Sequence, residues 1–185
     1  MKILVLFLML FIWPNSLTIY NDLDINTIFE PENTKIYSFE EIPIEIKLPN
    51  TVSILKDEIN DKSEVLFSLL FLDKNKYWGY IQVWNINDLH KFLSKSKETS
   101  QYNFFQYKKQ FIKIDKFEGF YIQWEAEVNG TKIIWGDEYF MMNPNGEVLR
   151  VSLFTDKDFL AEQLQVINKL FFSNIKFGRM YKGDR

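Results

Sequence analysis

Residues 120–154, FYIQWEAEVNGTKIIWGDEYFMMNPNGEVLRVSLF, decide the fold. Residues 120–128, 131–142 and 148–154 carry strand character, and two turn motifs separate them, Asn129-Gly130 and Pro144-Asn145-Gly146. Asn-Gly between apolar-alternating runs is a strong short-range hairpin signal, because both residues tolerate positive φ. An amphipathic run at 157–172 follows directly. The order is a β-meander feeding a closing helix.

The first turn predicts a register. A two-residue loop at Asn129-Gly130 pairs Val128 with Thr131, Glu127 with Lys132, Ala126 with Ile133 and Trp124 with Trp135. Ile122, Trp124, Ala126 and Val128 then share an apolar face with Ile133 and Trp135, while Tyr121, Gln123, Glu125 and Glu127 point the other way. On this pairing Glu125 and Glu127 read as the solvated face of a hairpin, not as a catalytic pair. Asp137 falls on the apolar face, which implies a bulge near Gly136 or a position at the sheet's end.

Working outward, Thr155 with Asp158 makes a capping arrangement. Phe159, Leu160, Leu164, Ile167, Leu170 and Phe171 recur at helical spacing and predict a core stripe. Upstream, residues 37–48 alternate, with Pro43 marking a break between two short strands. Residues 65–72 are apolar on both faces apart from Ser68, so that strand is expected to be covered on both sides. Residues 77–84 form another strand, and Asn85 or Asn87 can cap a helix over 88–97 with Leu89, Phe92 and Leu93 as its apolar stripe. Residues 104–114 return to strand character.

With 185 residues and 46% hydrophobic content, the chain can bury one sizeable core. One α+β domain over 37–177 is expected. A polar tether at 19–36 precedes it and a polar tail at 178–185 follows. Lys2, an apolar run over 3–13 and a Pro14-Asn15-Ser16 break have the order of a secretory signal. That run is shorter than the roughly 20 residues of a membrane span. Residues 1–18 thus predict export, with membrane contact only through this segment if it stays uncleaved. The chain has no Cys, so disulfides and lipid attachment at cysteine are excluded. Export without disulfides suits a bacterial surface.

The chemistry is mostly exclusion. A net charge of -3 with interspersed Lys does not favour nucleic acid. The seven glycines never form G-x-G, no Ser lies in G-x-S-x-G, and His90 is the only histidine. Asp22-x-Asp24-x-Asn26 begins like a calcium loop, but Thr27 and Asn33 stand where such a loop needs Gly and Glu. No catalytic residue, metal or cofactor is expected. Asn129-Gly130-Thr131 has the form of a glycosylation sequon. The candidate binding surface is an aromatic stripe: Trp78, Tyr80, Gln82 and Trp84 point one way along their strand. Large rings around a hydrogen-bonding Gln can form a contact surface; the competing reading is that a helix or loop covers them as the second layer of the core.

The strand ending Ile46-Lys47-Leu48-Pro49, the helix near Asp88, the meander, and the terminal helix running into Phe172-Ser173-Asn174-Ile175-Lys176-Phe177 together resemble the PsbP/Mog1-like family over 37–177. The resemblance implies an α/β/α sandwich around a mainly antiparallel sheet, and non-catalytic roles as extrinsic subunit, assembly factor or adaptor. It carries over no catalytic residue. The resulting expectation is a non-enzymatic extracytoplasmic binding or assembly module whose partner is another protein at the cell surface or membrane. The alternatives are a carrier of an apolar small ligand in an aromatic-lined pocket and, less favoured, a carboxylate-based hydrolase.

Overall fold

Period-2 apolar patterning organises most of this chain into strands. The structure, a computed structural model, describes residues 30–39, 42–59, 64–74 and 76–177. Residues 1–18, read above as an export signal, the Asp22-x-Asp24-x-Asn26 motif, most of the expected tether and the tail lie outside the described residues. In chain order the elements are β1 (Thr34–Phe39), β2 (Ile44–Pro49), β3 (Val52–Lys56), β4 (Val65–Asp73), β5 (Tyr77–Asn85), α1 (Leu89–Glu98), β6 (Asn103–Ile114), β7 (Phe117–Val128), β8 (Lys132–Met142), β9 (Glu147–Thr155), α2 (Asp158–Ala161), α3 (Leu164–Ser173) and β10 (Ile175–Phe177). β1 starts three residues before the expected domain boundary at 37. Neither β3 nor β10 was expected, because each is too short to show a period.

A seven-stranded antiparallel sheet runs β3-β4-β5-β9-β8-β7-β6, and a three-stranded sheet runs β1-β2-β10. The first face of the large sheet carries the small sheet and α3. Ile44, Ile46 and Leu48 of β2 alternate inward with Glu45 and Lys47 outward, and the inward set packs with Phe71, Ile81, Val151 and Leu153. Phe171 of α3 stacks on Phe71 at 4.9 Å and meets Tyr77 edge-on at 5.8 Å. The second face carries α1, whose Leu89 and Leu93 join Trp84, Ile122, Trp124 and Phe140. The expectation was an α/β/α sandwich around a mainly antiparallel sheet; the antiparallel sheet is present, and on its first face strands share the layer with α3.

The meander exists as expected, but its register is one residue away. Asn129 (φ 55) and Gly130 (φ 74) turn the chain, yet Thr131 also belongs to the loop, so Val128 pairs with Lys132, Ala126 with Ile134 and Trp124 with Gly136. A slip of one residue moves every side chain of β8 to the opposite face. The observed register buries Tyr139 and Met141 against the first core, and Ile134 and Phe140 against the second. Gly136 is required opposite Trp124, because a Cβ there would lie 2.1 Å from the indole ring. The cost is an exposed Ile133, and Lys132 pairs with Asp156 at 2.8 Å instead of with Glu127. No bulge is needed at Gly136: Asp137 simply faces Gln123 across the strands.

Both helix caps also differ from expectation. Asp88, not Asn85 or Asn87, caps α1 by accepting from Lys91 N at 2.9 Å. Thr155 Oγ1 accepts from Lys157 N at 3.1 Å and donates to Lys76 O at 2.8 Å, tying β9 to the β4–β5 turn rather than capping a helix. The expected closing helix is interrupted between α2 and α3. This break leaves Phe159 exposed, while Leu160, Leu164, Ile167, Phe171 and Phe172 are buried.

Candidate functional site

The aromatic stripe lies on β5, facing the layer that holds α1. Trp84 is 2% exposed and packs against Phe92 of α1 at 5.3 Å; Trp78, Tyr80 and Gln82 are half-buried. Phe154 of β9 sits 6.2 Å from Trp78 and 6.1 Å from Tyr80. Lys132 Nζ lies 5.5 Å above the Trp78 ring.

Gln82 has its hydrogen bonds committed within the fold. Its Oε1 accepts from Arg150 Nη1 at 3.0 Å and Trp84 Nε1 at 3.2 Å, and its Nε2 donates to Ser68 Oγ at 3.1 Å. Ser68, Gln82 and Arg150 are direct cross-strand neighbours, so the pleat alone lines them up. The row then continues. Ser68 Oγ donates to Asp57 at 2.6 Å, and Glu138 Oε2 accepts from Arg150 Nη2 at 2.7 Å, Arg150 Nε at 3.0 Å and Ser152 Oγ at 2.6 Å. Trp124 Nε1 closes the far end on Glu138 Oε1 at 2.7 Å. Every Arg150 nitrogen and both Glu138 oxygens thus have partners within the fold, which satisfies a buried ion pair. Sequence reading missed it, because Arg150 and Glu138 are 12 residues apart and meet only in the true register of β8.

Two open grooves flank the sheet's β6 edge. On the second face, a groove of about 540 Å³ runs between α1 and β6, lined by Leu93, Ser94, Lys97, Glu98, Phe104, Tyr107 and Lys109. Lys97 Nζ stands 4.3 Å over the Tyr107 ring, and Lys109 Nζ stands 5.1 Å over Phe120. Burial pushes the Tyr107 phenol up to about 12, so it stays neutral. His90, exposed on α1, meets Phe120 edge-on at 5.8 Å. Phe111 is 61% exposed and Phe105 53% exposed on the same strand.

On the first face, a cleft of about 230 Å³ opens where the α2–α3 junction meets β6, β7 and β8. Asp137 forms part of its floor. Its Oδ2 accepts from Tyr121 Oη and from Gln123 Nε2 at 3.3 Å, and its Oδ1 accepts from Asn168 Nδ2 at 2.9 Å. Burial raises the Asp137 pKa, and the hydrogen bonds from Tyr121, Asn168 and Gln123 partly oppose the rise. Glu125 lines the same cleft; Glu127 accepts from Asn103 Nδ2 at 3.4 Å. Three donors thus hold the two Asp137 oxygens. Among the described residues no group of three His, Cys, Asp or Glu side chains is placed to hold a metal ion.

The raised pKa has a direction in stability. Folded Asp137 binds a proton more readily than the unfolded chain, so its contribution falls as pH rises from the ordinary value near 3.8 through the folded pKa. Denaturant melts of the parent and of Asp137→Asn across the acid range are expected to show this slope in the parent alone. Identical slopes in both proteins would remove Asp137 as its source.

No protein-family model matches the chain, and none of the curated proteins matches it in sequence. Among the described residues no helix is long and apolar enough to cross a membrane. The solution structure of cyanobacterial PsbP (CyanoP) from Synechocystis sp. PCC 6803 is similar, with a TM-score of 0.53 over 79% of this chain and 93% of that one, at 10% sequence identity. The two share the arrangement of their chains rather than their residues. The chain thus has a PsbP-like fold.

Proposed function

We propose that this chain is a non-enzymatic binding or assembly module acting outside the cytoplasm, with another protein as its partner. One observation carries this reading. β6 is the longer of the two terminal strands of the seven-stranded sheet, 12 residues, with Phe105 and Phe111 exposed along it and the Lys97–Lys109 groove beside it. A terminal strand presents unpaired N–H and C=O groups to an extended segment of a partner, and exposed rings supply anchors. Lys109 and Lys113 also protect such an edge from self-pairing. The same lysines then select an acidic partner segment over a second copy of this chain's own basic edge.

The PsbP-like fold supports the reading in general form, and the charge-then-apolar start of residues 1–18 supports its location. The apolar-carrier alternative has less behind it, because Phe92 and Phe154 pack into the aromatic stripe and both grooves carry charged side chains. Photo-crosslinking from position 105 in the native membrane fraction tests the proposal. A discrete adduct is expected, and Phe111→Ala should weaken its formation by the equivalent of about 2 kcal/mol, as at an anchor residue. The fold should stay within about 0.5 kcal/mol of the parent. An adduct indifferent to Phe111→Ala, or none, sinks the assignment of this edge.

A further inference from the structure

The cleft on the first face has a composition that neither the core nor the β6 edge requires. Two cross-strand rows make its floor: Lys108, Gln123 and Asp137 in one, and Gln106, Glu125 and Trp135 in the next. Elsewhere on this face the small sheet and α3 supply mainly apolar side chains. Here the covering layer stops at the α2–α3 junction, where Ala161, Glu162 and Leu164 form a wall.

The chemistry of these groups selects a ligand class. Lys108 donates, Glu125 and Glu162 accept, and the amides of Gln106 and Gln123 can do both. Gln123 is oriented: its Nε2 is bonded to Asp137, which turns its carbonyl oxygen away and leaves it available as an acceptor. Such a mixture matches hydroxyl groups, each of which donates and accepts. Carboxylates outnumber the single Lys on this floor and wall, so an anion is disfavoured. Half-buried Trp135 adds apolar surface that suits the C–H face of a pyranose. At about 230 Å³ the cleft is smaller than the range of about 300–1,000 Å³ for drug-sized ligands. It accommodates one ring.

We propose that this cleft binds a neutral sugar ring, with Trp135 as its apolar platform and Gln123, Glu125 and Lys108 pairing its hydroxyl groups. The ring is that of a free hexose or of the terminal residue of a longer glycan. Asp137 is a positioning residue that fixes Gln123. The site stands apart from the β6–α1 groove, on the opposite face of the sheet, and does not depend on the partner proposed for that edge.

The test is a titration of the full chain with neutral methyl hexosides, N-acetylhexosamines and matching trisaccharides, read by saturation-transfer NMR and tryptophan fluorescence. Saturable binding of millimolar strength or better is expected for at least one series. A trisaccharide bound much more tightly than its methyl hexoside identifies a glycan terminus, and equal binding identifies a free sugar. Trp135→Ala and Gln123→Leu should each weaken binding by roughly tenfold, the scale of one lost hydrogen bond or apolar contact. Glu125→Gln, which leaves the packing intact, should weaken it less but measurably, and Lys97→Ala on the other face should not. Circular dichroism of each variant confirms the fold. No saturable response to any neutral sugar, or binding unmoved by Trp135→Ala, Gln123→Leu and Glu125→Gln together, overturns the proposal.

Discussion

Replacing Trp84 by Ala is expected to destabilise the domain by about 3–5 kcal/mol, the range for large aromatic truncations in cores. The indole is almost wholly buried, meets Phe92 of α1 at 5.3 Å and donates to Gln82. Its loss would open a cavity under α1 and remove one of the two donors on Gln82 Oε1. Denaturant melts of Trp84→Ala beside the parent measure the effect. A change within about 1 kcal/mol, near the scatter of surface substitutions, would show that α1 does not hold this ring as core. Trp78→Ala, at a half-buried position on the same strand, should cost less.

Arg150→Met is expected to cost a similar amount, about 3–5 kcal/mol, for a different reason. Arg150 and Glu138 are only 12% and 9% exposed, and the guanidinium supplies both nitrogen contacts that hold Glu138 Oε2. Without it the carboxylate keeps Ser152 and Trp124 as donors but has no opposite charge in a poorly hydrated site. The double variant Arg150→Met/Glu138→Gln should recover much of the loss, because no charge is then left buried and unpaired. A double-mutant cycle from denaturant melts separates the terms. A double variant no more stable than Arg150→Met alone would mean that packing, not the ion pair, dominates at this position.

These two expectations differ in how far the sequence foreshadows them. The Trp84 result rests on a short-range pattern: alternation along β5 places Trp78, Tyr80, Gln82 and Trp84 on one side, and the apolar stripe of α1 offers a cover. The Arg150 result rests on contacts among β4, β5, β9, β8 and β7, which no local pattern announces. The cleft of Gln123, Glu125, Trp135 and Asp137 belongs with the second kind. Under a two-residue loop Trp135 and Gln123 would have pointed to opposite faces, and no such site would exist.

What the sequence determined by itself is local. Strand period, the turn at Asn129-Gly130, the break at Pro43 and the apolar stripes of α1 and α3 follow from backbone sterics and side-chain spacing within a few residues. What only the tertiary structure decided is how those pieces face one another. The register of β8 was settled by two cores competing for its side chains. Tyr139 and Met141 went to one, Ile134 and Phe140 to the other, with Gly136 making room for Trp124. Adding Thr131 to the loop is a small local change, whereas the alternative register would turn that whole set to the wrong faces. Burial summed over a strand outweighs the preference of one turn, and that sum is visible only once both layers are in place.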